Sequence, residues 1–180
     1  MQLNNDKVTL RYIKKDDIEN YIKWQTIDTE WKKWDAPWAN KENDDRFLMK
    51  QKEAVKKTPQ EYRKFEIENE QGEHMGWVSS YYIEGDKDKL AVGIVIPPTD
   101  ARNKGYGFAA LTLFMKHLFE LRKMLYIQTW SGNFPMIALA AKLRFIETQR
   151  DKDLCLVFGK TYDGLTFAIT RDEFCKLHKF

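Results

Sequence analysis

Apolar and polar positions alternate along the chain in blocks that change period, and the changes mark out the elements. Val8 to Ile13 is a short β-like run. Asp16 and Glu19 have capping-box spacing, and Ile18, Tyr21 and Ile22 follow at helical spacing. A polar stretch carrying Trp24, Trp31, Trp34 and Trp38 is broken at Pro37. A charged helix is predicted from about Lys41 to Lys57, ending before Pro59. Lys64 to Glu68 alternates as a half-buried strand, and Gln71-Gly72-Glu73 turns into a second, from His74 to Glu84. After a turn at Gly85–Asp88, Leu90 to Ile96 is apolar without alternation, which predicts a strand near the sheet centre covered on both faces.

Beyond Pro97-Pro98 the period becomes helical: Phe108, Leu111, Met115, Leu118 and Phe119 mark one face of a helix running to about Arg122. Leu125 to Trp130 is a strand. Asn133 to Leu143 is a short helix, apolar nearly all round and therefore expected to be buried. Strands over Phe145–Phe158 and Leu165–Thr170 meet across Tyr162-Asp163-Gly164, and Thr170 with Glu173 caps a terminal helix. The mixture predicts an α+β (mixed α/β) class in one domain, 1–180.

Composition narrows the function classes. The 180 residues suit a single core, and the 43% apolar and 14% aromatic content excludes disorder. A net charge of +3, dispersed along the chain, argues against a nucleic-acid-binding domain. Cys155 and Cys175 have neither disulfide nor metal spacing, and Cys155 reads as a small core residue in a buried strand. No apolar run approaches the ~18 residues of a membrane span, and the N-terminus lacks a signal-peptide pattern. A cytoplasmic, metal-free protein without a membrane partner is the expectation.

The chemistry concentrates at Arg102-Asn103-Lys104-Gly105-Tyr106-Gly107. Two glycines one residue apart let the backbone approach a ligand closely. The helix that follows offers unpaired N–H groups suited to a pyrophosphate, with Arg102 and Lys104 as cations beside it. An ordinary glycine-bearing loop is the plain alternative. Ala110 excludes a dinucleotide fingerprint, and no Gly-Lys-Ser/Thr follows for a P-loop.

Arg102-x-x-Gly105-x-Gly107 resembles the Q/R-x-x-G-x-G/A signature of the GNAT acetyltransferases, and the order of elements is similar along nearly the whole chain. Asn133 stands where that family has an asparagine near the coenzyme, and Lys142-Leu143-Arg144-Phe145 looks like its K-L-G-F helix ending. Leu10-Arg11, Asp16-Asp17 and the Gly159–Thr170 ending are similar to the ribosomal-protein N-terminal acetyltransferase branch. The resemblance implies a mostly antiparallel twisted sheet of about seven strands flanked by helices, splayed between the fourth and fifth. It implies acetyl-coenzyme A as acetyl donor, with Asn103, Tyr106 and Phe108 joining Arg102, Lys104, Gly105 and Gly107 around the pyrophosphate. Ile94, Val95 and Ile96 would pair with the pantetheine arm, and a backbone N–H near Val95 or Ile96 would polarise the thioester carbonyl. Direct transfer to an amine follows, the acceptor being a protein N-terminus, a polyamine-like amine or an aminoglycoside-like antibiotic. The resemblance leaves a homodimer open.

Three positions depart from the family. Ala140 and Met136 stand where relatives carry a proton-donating Tyr or Ser, and Arg144 replaces the helix-ending glycine. Ser131, Tyr81 and Tyr82 are candidate substitutes for the acid, and Glu84 is the candidate base. His74, beside a turn, and His117, expected on the polar side of its helix, are weaker candidates. Trp31, Trp34 and Trp38 fall where the family roofs the acceptor site, and aromatics there would stack on a planar or cationic acceptor. The alternative is a Trp-rich core. Asp28, Glu30 and Asp35 would attract an amine or serve as ordinary surface charges. Without a proton donor, a non-catalytic acyl-CoA sensor is the competing function.

Overall fold

The computed structural model describes residues 1–38, 44–57 and 63–177. Eight strands form one sheet: β1 (Gln2–Asn4), β2 (Val8–Arg11), β3 (Lys64–Asn69), β4 (His74–Tyr82), β5 (Leu90–Val95), β6 (Met124–Trp130), β7 (Ile146–Val157) and β8 (Lys160–Thr170). The helices are α1 (Asp17–Thr26), α2 (Asp44–Ala54), α3 (Tyr106–Leu118), α4 (Phe134–Lys142) and α5 (Arg171–Leu177). The strand order is β1-β2-β3-β4-β5-β6-β8-β7, antiparallel throughout except for β5 and β6. That pair is parallel and registers at Ala91↔Tyr126 alone, so the sheet splays there, between the fourth and fifth predicted strands.

One face packs on α3. Leu10, Phe65, Val78, Val92, Leu125 and Ile127 meet Leu111, Phe114, Met115 and Leu118, all buried. The period of two sends Trp77, Ser79 and Tyr81 of β4 to the other face. There Trp77 joins Tyr21, Trp24 and Trp31 under α1, with Phe47 of α2 packed against them. Beside this second core lies a buried polar network. Arg11 grips Asp17 with two hydrogen bonds of 2.7 Å. The His74 Nε2 stands 2.9 Å from Glu66, and the Tyr21 hydroxyl donates to the same carboxylate at 2.8 Å. Every charge here has an opposite partner, as burial requires.

Several expectations are corrected. Polar β1 is an eighth strand that three residues could not announce by period. Asp16 makes no side-chain cap on α1; Asp17 does the local work, accepting from the Lys14 N–H at 2.7 Å. β5 is buried only over its first half, Leu90–Val92, while Gly93–Val95 are partly open. In α4 only Ala140 is buried; Met136, Ile137 and Leu139 pack against the main core but stay partly open, because the helix covers the edge of that core with one side only. The last hairpin turns at Phe158-Gly159, both at positive φ, rather than at Tyr162–Gly164. Cys155 is buried, but its neighbours Leu154, Leu156 and Phe158 are exposed, so this strand alternates instead of lying within the core. His117 is 4% exposed, on the inner side of α3. Lys41 and Pro59 lie outside the described residues. The Thr170–Glu173 cap forms as expected, with reciprocal bonds of 3.1 and 3.2 Å.

Candidate functional site

The turn from β5 into α3 is built by left-handed residues. Asn103 has φ 61° and Gly105, the N-cap of α3, has φ 87°. Gly105 accepts the first helical bond from Ala109, leaving the Tyr106 and Gly107 N–H groups directed past the helix start. A side chain at Gly107 would face Leu139 of α4 at 3.6 Å and Ile96 at 3.8 Å. The glycine thus sits against the end of β5 and α4 at van der Waals distance, where a methyl group fits and a large side chain has to displace its neighbours.

The cations around this turn come from three distant segments. Lys104 is exposed on the loop itself. The Lys7 side chain would lie 3.4 Å from a Cβ placed on Gly105 and stands over the Tyr106 ring at 5.2 Å, and Lys142 lies 4.7 Å from the Phe108 ring centroid. Lys7 and Lys142 escaped sequence reasoning because only the fold brings them to the loop. Arg102 is differently employed. Its guanidinium donates to the Ile96 and Pro97 carbonyls at 2.8 Å and pairs with Glu30 of the segment after α1. Burial works to raise the Glu30 carboxyl, but hydrogen bonds from Lys33 and Arg102 outweigh it and hold that carboxyl below its ordinary value. Arg102 therefore braces the strand exit and the segment after α1 together.

The half-open residues Ile94, Val95 and Ile96 lead along β5 to the splay. Gly76 of β4 lies so close that a Cβ there would sit 2.1 Å from the Val95 carbonyl oxygen. At the end of β6, Asn133 caps α4 by accepting from the Met136 N–H at 3.1 Å. Its amide donates across the cleft to the Trp34 carbonyl at 3.0 Å, and the Trp130 indole donates to the same oxygen at 3.0 Å.

The tryptophans divide between two roles. Trp31 is buried, its indole donating to the Trp24 carbonyl at 2.9 Å, so it belongs to the second core. Trp34 is half-buried and Trp38 exposed; Trp38 meets Trp130 edge-on at 5.6 Å, and Trp130 meets Tyr162 at 4.9 Å. These rings surround the open end of the splay.

The candidate acids and bases are dispersed. Glu84 is exposed at φ 50° in the turn joining β4 to β5, at the Leu90 end of those strands, whereas the α3 loop leaves from the Val95 end. The Tyr82 hydroxyl is on the α3 face and accepts from Arg122 at 2.8 Å. The Ser131 hydroxyl accepts from the Asp163 N–H at 2.9 Å. His74 is enclosed between Asp17 and Glu66, away from the splay. Tyr81 lies on the sheet face opposite α3; the residue is 39% exposed, and desolvation first and the Asp35 carboxylate second push its phenol up to about 12. Among the described residues no cluster of side chains suits a metal ion, and no helix is long and apolar enough to cross a membrane.

A sequence profile of the acetyltransferase (GNAT) domain matches residues 7–146. No curated protein matches the chain. Among solved structures, an acetyltransferase of the GNAT family from Bacillus anthracis superposes with a TM-score of 0.77 at 15% identity, over 96% of this chain and 100% of that one. A spermidine N-acetyltransferase from Vibrio cholerae, in complex with CoA and spermine, gives 0.74 at 16% identity, over 94% and 99% of the two chains. The Microcin C7 self immunity acetyltransferase MccE, in complex with acetyl-CoA and AMP, gives 0.73 at 18% identity, over 92% and 93%.

Proposed function

The chain belongs to the GNAT acetyltransferase domain family, and from that premise we propose that it transfers the acetyl group of acetyl-coenzyme A directly to an amine. The observation that carries the reading is the start of α3 beside the splay, capped by left-handed Gly105, with Gly107 in its first turn and a rim of lysines. The Tyr106 and Gly107 N–H groups hold the pyrophosphate, Asn103, Gly105 and Phe108 shape its seat, and Lys7, Lys104 and Lys142 balance its charge. Ile94 to Ile96 offer backbone to the pantetheine arm, and a Val95 or Ile96 N–H polarises the acetyl carbonyl. Acetyl-coenzyme A supplies an activated acyl carbon and a thiolate leaving group.

The amine nitrogen bonds to the acetyl carbon as the carbon–sulfur bond breaks; nitrogen loses one proton and sulfur gains one. Neither Glu84 nor Tyr82 is turned to that exchange, Ser131 is engaged by the chain, and the proposal returns the protons through solvent. Asn133 acts by fixing the cleft rim. Trp34 and Trp38 border the acceptor, whose class includes a protein N-terminus, as in the ribosomal-protein branch, a polyamine-like amine or an aminoglycoside-like one. The whole chain, 1–180, then works as one metal-free cytoplasmic domain, alone or as a homodimer.

Ala140 and Met136, at the positions of the relatives' proton donors, favour one second reading: a sensor that binds acyl-CoA without turnover. Calorimetry with acetyl-CoA tests both readings, and absence of binding at millimolar coenzyme rejects both. Thiol release over a panel of amines separates enzyme from sensor.

A further inference from the structure

The turn between β1 and β2 is built around Asn5. Its side-chain oxygen accepts from the Lys7 and Val8 N–H groups at 3.0 and 2.9 Å, and its backbone N–H donates to the Val8 carbonyl at 3.1 Å. The amide nitrogen of the same side chain donates to the Ala109 carbonyl in α3, 104 residues along the chain, at 3.2 Å. One residue therefore closes the turn and docks it on the helix.

Docking carries Lys7 to the start of α3. A Cβ on Gly105 would lie 3.4 Å from the Lys7 Cε and 3.8 Å from its Nζ, and that Nζ stands 5.2 Å over the Tyr106 ring. Glu70, whose carboxylate senses the Lys7 charge, is taken by the Tyr106 hydroxyl at 3.0 Å. Among the described residues the half-buried Lys7 has no carboxylate within ion-pair distance. A cation held at the positive end of a helix dipole, with exposed Lys104 on the same loop, costs free energy until an anion lies between them. Packing of the stem on the loop would be met as well by an uncharged side chain.

We propose that the β1–β2 turn is a coenzyme-recognition element: Lys7 reads the 5′-diphosphate seated on the Tyr106 and Gly107 N–H groups, and Asn5 is the positioning residue that holds Lys7 there. The assignment rests on the acetyl-transfer reading and adds a determinant of coenzyme specificity to it. The diphosphate is the partner because the Lys7 Nζ lies within a residue's breadth of the helix-start donors, whereas the 3′-phosphate lies beyond the ribose. A lysine suits this place, since an ammonium is a point charge whose three donors follow a phosphate oxygen without a fixed orientation.

Dissociation constants of acetyl-CoA and acetyl-dephospho-CoA, which keeps the diphosphate and lacks the 3′-phosphate, are measured by calorimetry for wild type, K7A, N5A and the double variant. K7A weakens both coenzymes by the same factor, on the order of tenfold, the loss of one charge-assisted contact. K7R restores most of that loss. N5A also weakens both, and adds nothing in the K7A background, a coupling that a merely structural role for Asn5 would not produce. N5S keeps an oxygen for the turn but is too short to reach Ala109, so it repeats the cycle with the turn closed and serves if N5A is unstable.

Absence of acetyl-CoA binding by wild-type protein brings down the acetyl-transfer reading itself. Wild-type binding matched by K7A overturns the Lys7 assignment alone. A K7A variant that binds acetyl-CoA weakly and acetyl-dephospho-CoA normally makes the 3′-phosphate the partner and overturns the diphosphate assignment. Losses in N5A and N5S that add to those of K7A overturn the positioning role of Asn5.

Discussion

The Asn133 side chain bonds in two directions, accepting from the first turn of α4 and donating to the Trp34 carbonyl across the cleft at 3.0 Å. The two bonds are separable. N133D keeps an oxygen that caps the helix and removes the donor, whereas N133A removes both. N133A is expected to lower stability by about 1 kcal/mol more than N133D, read from urea midpoints. Both variants release the Trp34 segment, so both weaken the amine step in thiol-release kinetics.

The close packing around Gly107 gives a graded series. Alanine fits, since the nearest side-chain atoms lie at 3.6 to 3.9 Å from the added Cβ. G107A is expected to bind acetyl-CoA within a few-fold of wild type. G107W puts an indole into the first turn of α3 beside the proposed pyrophosphate seat and abolishes binding, with circular dichroism showing the fold intact. Undiminished binding by G107W removes the loop from its assigned role.

Acid stability is governed partly by Asp17 and Glu68. Burial raises each carboxyl, but hydrogen bonds from Arg11 and the Lys14 N–H to Asp17, and from Arg11 and Lys14 to Glu68, outweigh it and hold both below ordinary values. A carboxyl lowered in the folded state contributes stability that is fully present above its unfolded pKa of about 4 and is lost as pH falls through the folded value. Urea midpoints are therefore flat near neutrality and fall below about pH 4. D17N takes from the buried Arg11 one of its two carboxylate partners and leaves Glu68; it lowers stability by about 1.5–3 kcal/mol at pH 7 and flattens the acid limb.

Arg144 ends α4 at φ 65°, where the side chain brings strain. R144G is expected to stabilise by about 0.5–1 kcal/mol, since relief of strain exceeds the added entropy of the unfolded chain. A lower thermal midpoint for R144G contradicts this.

Much of the fold was legible because period-two alternation and helical spacing are properties of the chain itself. Lys64 to Glu68, the α3 face and the Thr170–Glu173 cap needed no tertiary information. What failed depended on partners. An apolar helix such as α4 announces a surface that avoids water without saying how much of it the core will cover. β1 is too short and polar to show a period. At the site, the glycine spacing of the Arg102–Gly107 loop was readable, since backbone conformation there is written in residue type. Lys7 joins that loop from the second strand's approach, and no local signal connects the two. Glu84 was nominated as a strand-end acid near the cleft, but strand direction places it at the other end of β4 and β5 from the loop.

The single rung at Ala91↔Tyr126 makes the sheet two leaves bound along a short spine, and the binding is α3 with the side chains beneath it. The width between the leaves is then a matter of volume in the core: Val92 on one leaf and Leu125 and Ile127 on the other rest on Leu111, Phe114 and Met115. Exchanging one of these for a smaller or larger apolar residue adjusts the gap as a shim does, so that residues touching no ligand set how tightly the protein grasps one.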